Sequence, residues 1–189
     1  MTENISAKKA LEKLINGNKE YMNSLTNPGD ISLEKRVDTW KNGQKPYAII
    51  LACSDSREIP EAIFCAGIGD LFVIRVAGNV VDDHQLGSIE YAADHLGCRL
   101  VVVLGHNCCG AVDAAINHDP DNHIKFITDE ISLAIGSEKD EFKACCLNVK
   151  RSVQIIEDDI DIHHMEDEEG LKVMGAIYHL EDGRVEFLD

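Results

Sequence analysis

No apolar stretch in this 189-residue chain approaches the roughly 20 residues that a membrane-spanning helix needs, and the opening Met1-Thr-Glu-Asn-Ile-Ser-Ala-Lys-Lys9 carries no apolar signal core. No membrane association is expected, and the setting read from these absences is the cytoplasm. Positive charge is also scarce. Eighteen Lys and Arg stand against 34 Asp and Glu, a formal net charge of −16, so no nucleic acid is expected as a partner, because neutralising phosphates takes clustered Lys and Arg. Internal repeats and low-complexity segments are lacking as well. The length fits a single domain, 1–189, burying about two-thirds of the surface that its unfolded chain would expose.

An even cysteine count is missing too. Seven thiols are present, and in a chain read as cytoplasmic they stay reduced, which favours metal binding over disulfides. Eight of the 34 acids fall in residues 157–169. That run reads as a solvated helix end and loop, in preference to a metal-storage tract around His163 and His164.

Apolar periodicity alternates between helix and strand. Leu11, Leu14, Asn18, Tyr21, Met22 and Leu25 recur at helical spacing after a cap at Ser6, and Asn27-Pro-Gly-Asp30 closes this N-terminal amphipathic helix, a helical extension over 1–30. Its stripe has to be buried somewhere, and its own domain is the plainest place. Three continuous apolar runs follow, at 47–52, 71–77 and 100–104, with helical segments at 59–65 and 86–96 between them. Continuous runs suit strands covered on both faces, and the alternation is the βαβαβ signature of a parallel sheet. Val149, Val153, Ile156 and Ile160 mark another helix, 171–178 reads as a fourth strand, and Glu181-Asp-Gly183 turns into an antiparallel edge at 185–188. The predicted fold is α/β: a mostly parallel sheet with strand order beginning 2-1-3, flanked by helices, with an antiparallel C-terminal edge hairpin and an N-terminal amphipathic helix. Its core spans 45–188.

Cys53-Ser-Asp-Ser-Arg57 stands directly behind the first run, and His106-Asn-Cys-Cys109 behind the third. In an open α/β sheet, ligands bind outside the carboxyl ends of the strands where strand order reverses. Two thiolates and one imidazole there are three zinc ligands, and three protein ligands leave a fourth tetrahedral position open, as in catalytic rather than structural sites. A lone Cys at a strand end is ordinarily a small buried hydrophobe. Two motifs at adjacent strand ends, beside Asp55 and Arg57, are harder to account for that way. Spacing alone does not choose between Cys108 and Cys109, although Cys109 adjoins a helix opening at Gly110, whose free N–H groups would stabilise a thiolate. Gly105 and Gly110 are expected to let the backbone turn tightly around the metal. Cys65 and Cys98 read as core, and Cys145 and Cys146 as surface thiols in a loop. His84, His118 and His123 are candidate proton relays in polar context.

These residues, with Arg75-Val-Ala-Gly-Asn79, Gly87-Ser-Ile-Glu-Tyr-Ala92, Gly105-His-Asn-Cys-Cys-Gly-Ala111, Val173-Met-Gly-Ala-Ile-Tyr178 and Gly183-Arg-Val-Glu-Phe-Leu188, resemble the β-class carbonic anhydrases over about 45–188. The resemblance implies one zinc per chain on Cys53, His106 and Cys109, with Cys108 a spacer. It implies Asp55 and Arg57 as a catalytic pair beside the metal, with Asp55 also a fourth ligand in a closed state. It further implies a homodimer, leaving open its pairing into a tetramer, with the N-terminal helix covering the partner subunit. The activity implied is hydration of carbon dioxide to bicarbonate by zinc-bound hydroxide. A centre of two thiolates, one imidazole and Zn²⁺ is formally neutral, and still forms hydroxide near neutral or mildly alkaline pH. Asp55 would orient that hydroxide while a bidentate Arg57 holds the carboxylate off the metal. Two rivals stand beside this reading: a related zinc hydrolase acting on carbonyl sulfide or carbon disulfide, and a non-catalytic zinc or redox-sensing module using Cys108, Cys109, Cys145 and Cys146.

Overall fold

The computed structural model describes residues 4–24, 26–117 and 121–188. Five strands, β1 (Ala48–Ala52), β2 (Leu71–Arg75), β3 (Leu100–His106), β4 (Lys172–Tyr178) and β5 (Val185–Phe187), form one sheet in the order β2-β1-β3-β4-β5. Four strands run parallel and β5 is antiparallel to β4. The chain leaves β1 to one side for β2 and to the other for β3, so the order reverses at the carboxyl end of β1. Ala52 there lies between Arg75 and Leu104.

β1 is buried at every position because both faces are covered. Ile49 and Leu51 join Val101, Val103 and Ile177 in one core, packed under α4 (Asp83–Asp94), α5 (Gly110–Asn117), α6 (Ile124–Ile135), α7 (Glu141–Glu157) and α8 (Ile160–Glu169). Ile50, Val102 and Leu104 join Leu14, Ile63 and Phe64 in the other, against α1 (Ala7–Asn23) and α3 (Pro60–Ile63). Each fully buried Ile or Leu contributes about 1.5–3 kcal/mol. Two glycines set how closely α7 approaches: a Cβ at Gly105 would lie 2.5 Å from Val149 Cγ2, and one at Gly175 2.7 Å from Val149 Cγ1.

Several expectations are corrected. Part of the α1 stripe is buried on its own chain, where Leu14 is fully covered with neighbouring Ala10 and Asn18 bonds the backbone at Gly183 (2.8 Å) and Val185 (2.9 Å), whereas Leu11 and Tyr21 are half-buried and Met22 is exposed. Leu25 lies outside the described residues. A second helix, α2 (Leu33–Asn42), capped by Ser32 at Lys35 N, was not expected, and none of its residues is buried. Its mixed charges hide a stripe of only three apolar residues, Leu33, Val37 and Trp40. Residues 157–169 begin with the expected helix end, Glu157 closing α7, but then form helix α8 rather than a loop: Asp159 caps it, and Ile162 and Met165 are buried. Cys145 and Cys146 lie inside α7, Cys145 buried and Cys146 half-buried, so they are not a surface loop pair. Cys98 is core as expected, whereas Cys65 is half-buried.

Candidate metal centre

Cys53 follows β1 by one residue, His106 ends β3, and Cys109 immediately precedes α5. One ligand atom from each, Sγ, imidazole nitrogen and Sγ, lies within 4.8 Å of the other two, and all three residues are buried. Cys108 is exposed and is not among them. The turn separating Cys109 from His106 is made by Cys108 itself, at φ 53°, while Gly105 and Gly110 keep ordinary φ values. Gly105 is there for packing against Val149 rather than for turning.

The donor set fits a metal. His106 Nδ1 lies 2.7 Å from the Asn107 carbonyl, which only accepts, so Nδ1 carries the proton and Nε2 its lone pair. Nε2 is buried with no hydrogen-bond partner, which is costly unless a further group meets it. Gly78 N–H donates to Cys53 Sγ at 3.2 Å. A hydrogen bond from Cys109, with smaller help from His106 and Gly78 outweighing burial, holds Cys53 below the usual thiol range, to about 4. Bonding to that thiolate and burial push Cys109 up. Burial works against charge on His106, but the nearby Cys53 and Glu58 and the Asn107 carbonyl outweigh it and raise its pKa.

Beside it, Arg57 donates to Asp55 through Nε to Oδ1 (2.9 Å) and Nη2 to Oδ2 (2.7 Å), and Nη2 also reaches the Cys108 carbonyl at 3.1 Å. Asp55 Oδ2 stands 3.8 Å from His106 Nε2. The Arg57 hydrogen bonds keep Asp55 well below the usual carboxylate range.

Three supports escaped sequence reasoning. Arg75, paired with Ala52 across the sheet, donates to the carbonyls of Cys53 (3.0 Å), Asp55 (2.7 Å) and Glu58 (2.8 Å), tying the ligand loop together. Its register opposite the end of β1 was the available signal. Glu58 is wholly buried, its Oε2 accepting Cys53 N–H at 2.9 Å, and burial raises its pKa to about 8. A charged residue next to an apolar Ile-Pro pair gave no hint of this inward turn. The third is Asn107, between two of the ligands. Of the relay candidates, His84 and His123 are exposed, with no hydrogen bond or ion pair to the ligand set, and His118 lies outside the described residues.

A family model for carbonic anhydrase matches residues 48–185. Carbonic anhydrase 2 of Mycobacterium tuberculosis is 36% identical over 201 residues, covering 100% of this chain and 94% of that protein. The β-carbonic anhydrase CafA of Aspergillus fumigatus superposes with a TM-score of 0.77 at 28% identity, covering 82% of this chain and 81% of its own. A tetrameric β-carbonic anhydrase of Sordaria macrospora shares the fold at a TM-score of 0.73 and 24% identity, over 82% of this chain and 91% of its own. With a buried Cys-His-Cys donor set at the switch point of a 2-1-3-4-5 sheet, and relatives matched over nearly its full length, the chain belongs to the β-class carbonic anhydrase family.

Proposed function

We propose that this chain catalyses the reversible hydration of carbon dioxide to bicarbonate and a proton, using one zinc held by Cys53, His106 and Cys109. The observation that carries the reading is the convergence of these three donors, with an orphaned His106 Nε2, beside a carboxylate restrained by arginine. When bound, zinc supplies Lewis-acid activation of water near neutral pH. The chain's own groups do the positioning. Asp55 accepts a hydrogen bond from the reacting water and aims its lone pair at carbon dioxide, a gain of geometry rather than affinity. Arg57, anchored on the Cys108 carbonyl, keeps Asp55 from the open position; its release would let Asp55 act as fourth ligand. Arg75 and Glu58 hold the Cys53 loop so that its thiolate stays in register with Cys109.

Self-association as a homodimer belongs to this proposal. It is supported by α2, where Leu33 and Trp40 are 67% and 80% exposed and Val37 is also exposed, all on one helix face. A reducing, cytoplasmic setting is likewise proposed, supported by seven unpaired thiols. No helix among the described residues is long and apolar enough to cross a membrane. Carbon dioxide hydration by stopped flow, measured with zinc content, tests the function. A zinc-loaded protein inert toward carbon dioxide but active on carbonyl sulfide would replace it.

A further inference from the structure

Asn107 stands between two ligand positions, yet its side chain turns away from them. Its Oδ1 accepts Leu180 N–H at 2.9 Å and its Nδ2 donates to Glu181 Oε2 at 2.6 Å. Both ends of the amide are therefore matched, oxygen to a donor and nitrogen to an acceptor, which fixes its orientation. Its backbone N–H reaches the Tyr178 carbonyl at 3.3 Å, extending the β3–β4 ladder by one long bond. Glu181 is held in turn, with Oε1 3.5 Å from His179 Nδ1. The peptide leaving Asn107 leads into the left-handed Cys108, a turn held on its far side by Arg57 at the Cys108 carbonyl. That peptide carries the carbonyl on which His106 Nδ1 depends, at 2.7 Å.

We infer that Asn107 is a positioning residue of the metal site: by clamping the ligand loop to the β4–β5 turn at Leu180 and Glu181, it fixes the carbonyl that orients His106. The inference rests on the zinc reading above. A group hydrogen-bonded directly to a metal-ligating histidine typically governs metal affinity by 10- to 100-fold; the Asn107 side chain stands one step behind such a group, the carbonyl of its own residue, and that range sets the scale of its effect.

The test is competition for zinc between a chromophoric chelator and the purified full-length holoprotein at neutral pH, with melting temperature and hydration rate measured alongside. Asn107→Ala is expected to weaken zinc roughly 10- to 100-fold. Asn107→Asp sets a carboxylate against Glu181 and should weaken it at least as much, whereas an electrostatic effect alone, adding negative charge near the metal, would tighten binding. Glu181→Gln keeps an acceptor for Nδ2 and should change little. The double variant Asn107→Asp with Glu181→Gln restores a donor–acceptor pair at the wild-type net charge, and should recover most of the affinity. Wild-type zinc affinity in Asn107→Ala, a fall in melting temperature alone, or a double variant no better than Asn107→Asp would overturn the clamp. Zinc affinity is read without carbon dioxide, so an inert wild type with the expected affinity pattern would sink the hydration reading and leave the clamp standing.

Discussion

Arg57 grips both carboxylate oxygens of Asp55, at 2.9 and 2.7 Å, while its Nη2 reaches the Cys108 carbonyl at 3.1 Å. One side chain thus joins the loop after β1 to the loop after β3, and under the proposed function it decides whether the carboxylate faces the reacting water or competes for the metal. Arg57→Ala and Asp55→Ala are each expected to retain zinc and to lose turnover, by roughly 10²-fold, as misplacement of a reacting group costs. Near-normal turnover in both would reduce the pair to a solvated ion pair of little consequence.

The pair also bears on pH dependence. Asp55 has an ordinary value of 3.8 that is lowered in the folded chain, chiefly by the Arg57 hydrogen bonds. A depressed carboxylate contributes above its unfolded pKa and is lost only as pH falls through its folded one. The pair is therefore intact above about pH 4, so a rise of hydration rate with pH around neutrality is expected to come from activation of water. Asp55→Asn should lower the plateau yet keep that rise. A flat profile in the variant, measured from about pH 6 to 9, would assign the rise to Asp55 instead.

Packing behind the site gives a stability test. Gly105→Ala forces a Cβ to 2.5 Å from Val149 Cγ2 and should cost about 1–3 kcal/mol in urea unfolding. Shortening the neighbour in a Gly105→Ala/Val149→Ala pair should make the two costs less than additive. Simple additivity would mean that α7 does not rest on the glycine.

Self-association is tested at the face of α2. Trp40→Asp, at a position 80% exposed in the chain alone, should shift sedimentation toward monomer without disturbing the fold, because no residue of α2 is buried. An unchanged sedimentation coefficient would move the interface elsewhere.

Much of this was legible in the sequence because continuous apolar runs report strands covered on both faces. Their carboxyl ends located Cys53 and His106, and the order 2-1-3 made those ends neighbours. Spacing could not choose between Cys108 and Cys109; the backbone chose, with Cys108 at positive φ turning its own thiol to solvent. Helix α2 went unseen because its apolar stripe is short and largely exposed. Cys145 and Cys146 were misread because two polarisable thiols beside charged residues resemble a loop, when they lie inside α7 with Cys145 buried and Cys146 half-buried. Glu58 reaches back five residues to the Cys53 N–H, and Asn107 reaches across more than seventy to Leu180 and Glu181; neither kind of bond leaves a periodic trace.

The central claim is that the Cys53-His106-Cys109 centre hydrates carbon dioxide through zinc. Zinc per chain and stopped-flow hydration, measured on the same samples of wild type, Cys108→Ala and Cys109→Ala, test it most directly. About one zinc with rapid hydration is expected in wild type, both largely kept in Cys108→Ala and both lost in Cys109→Ala. A fully zinc-loaded wild type with no hydration, or a Cys109→Ala variant that keeps metal and turnover, would contradict it.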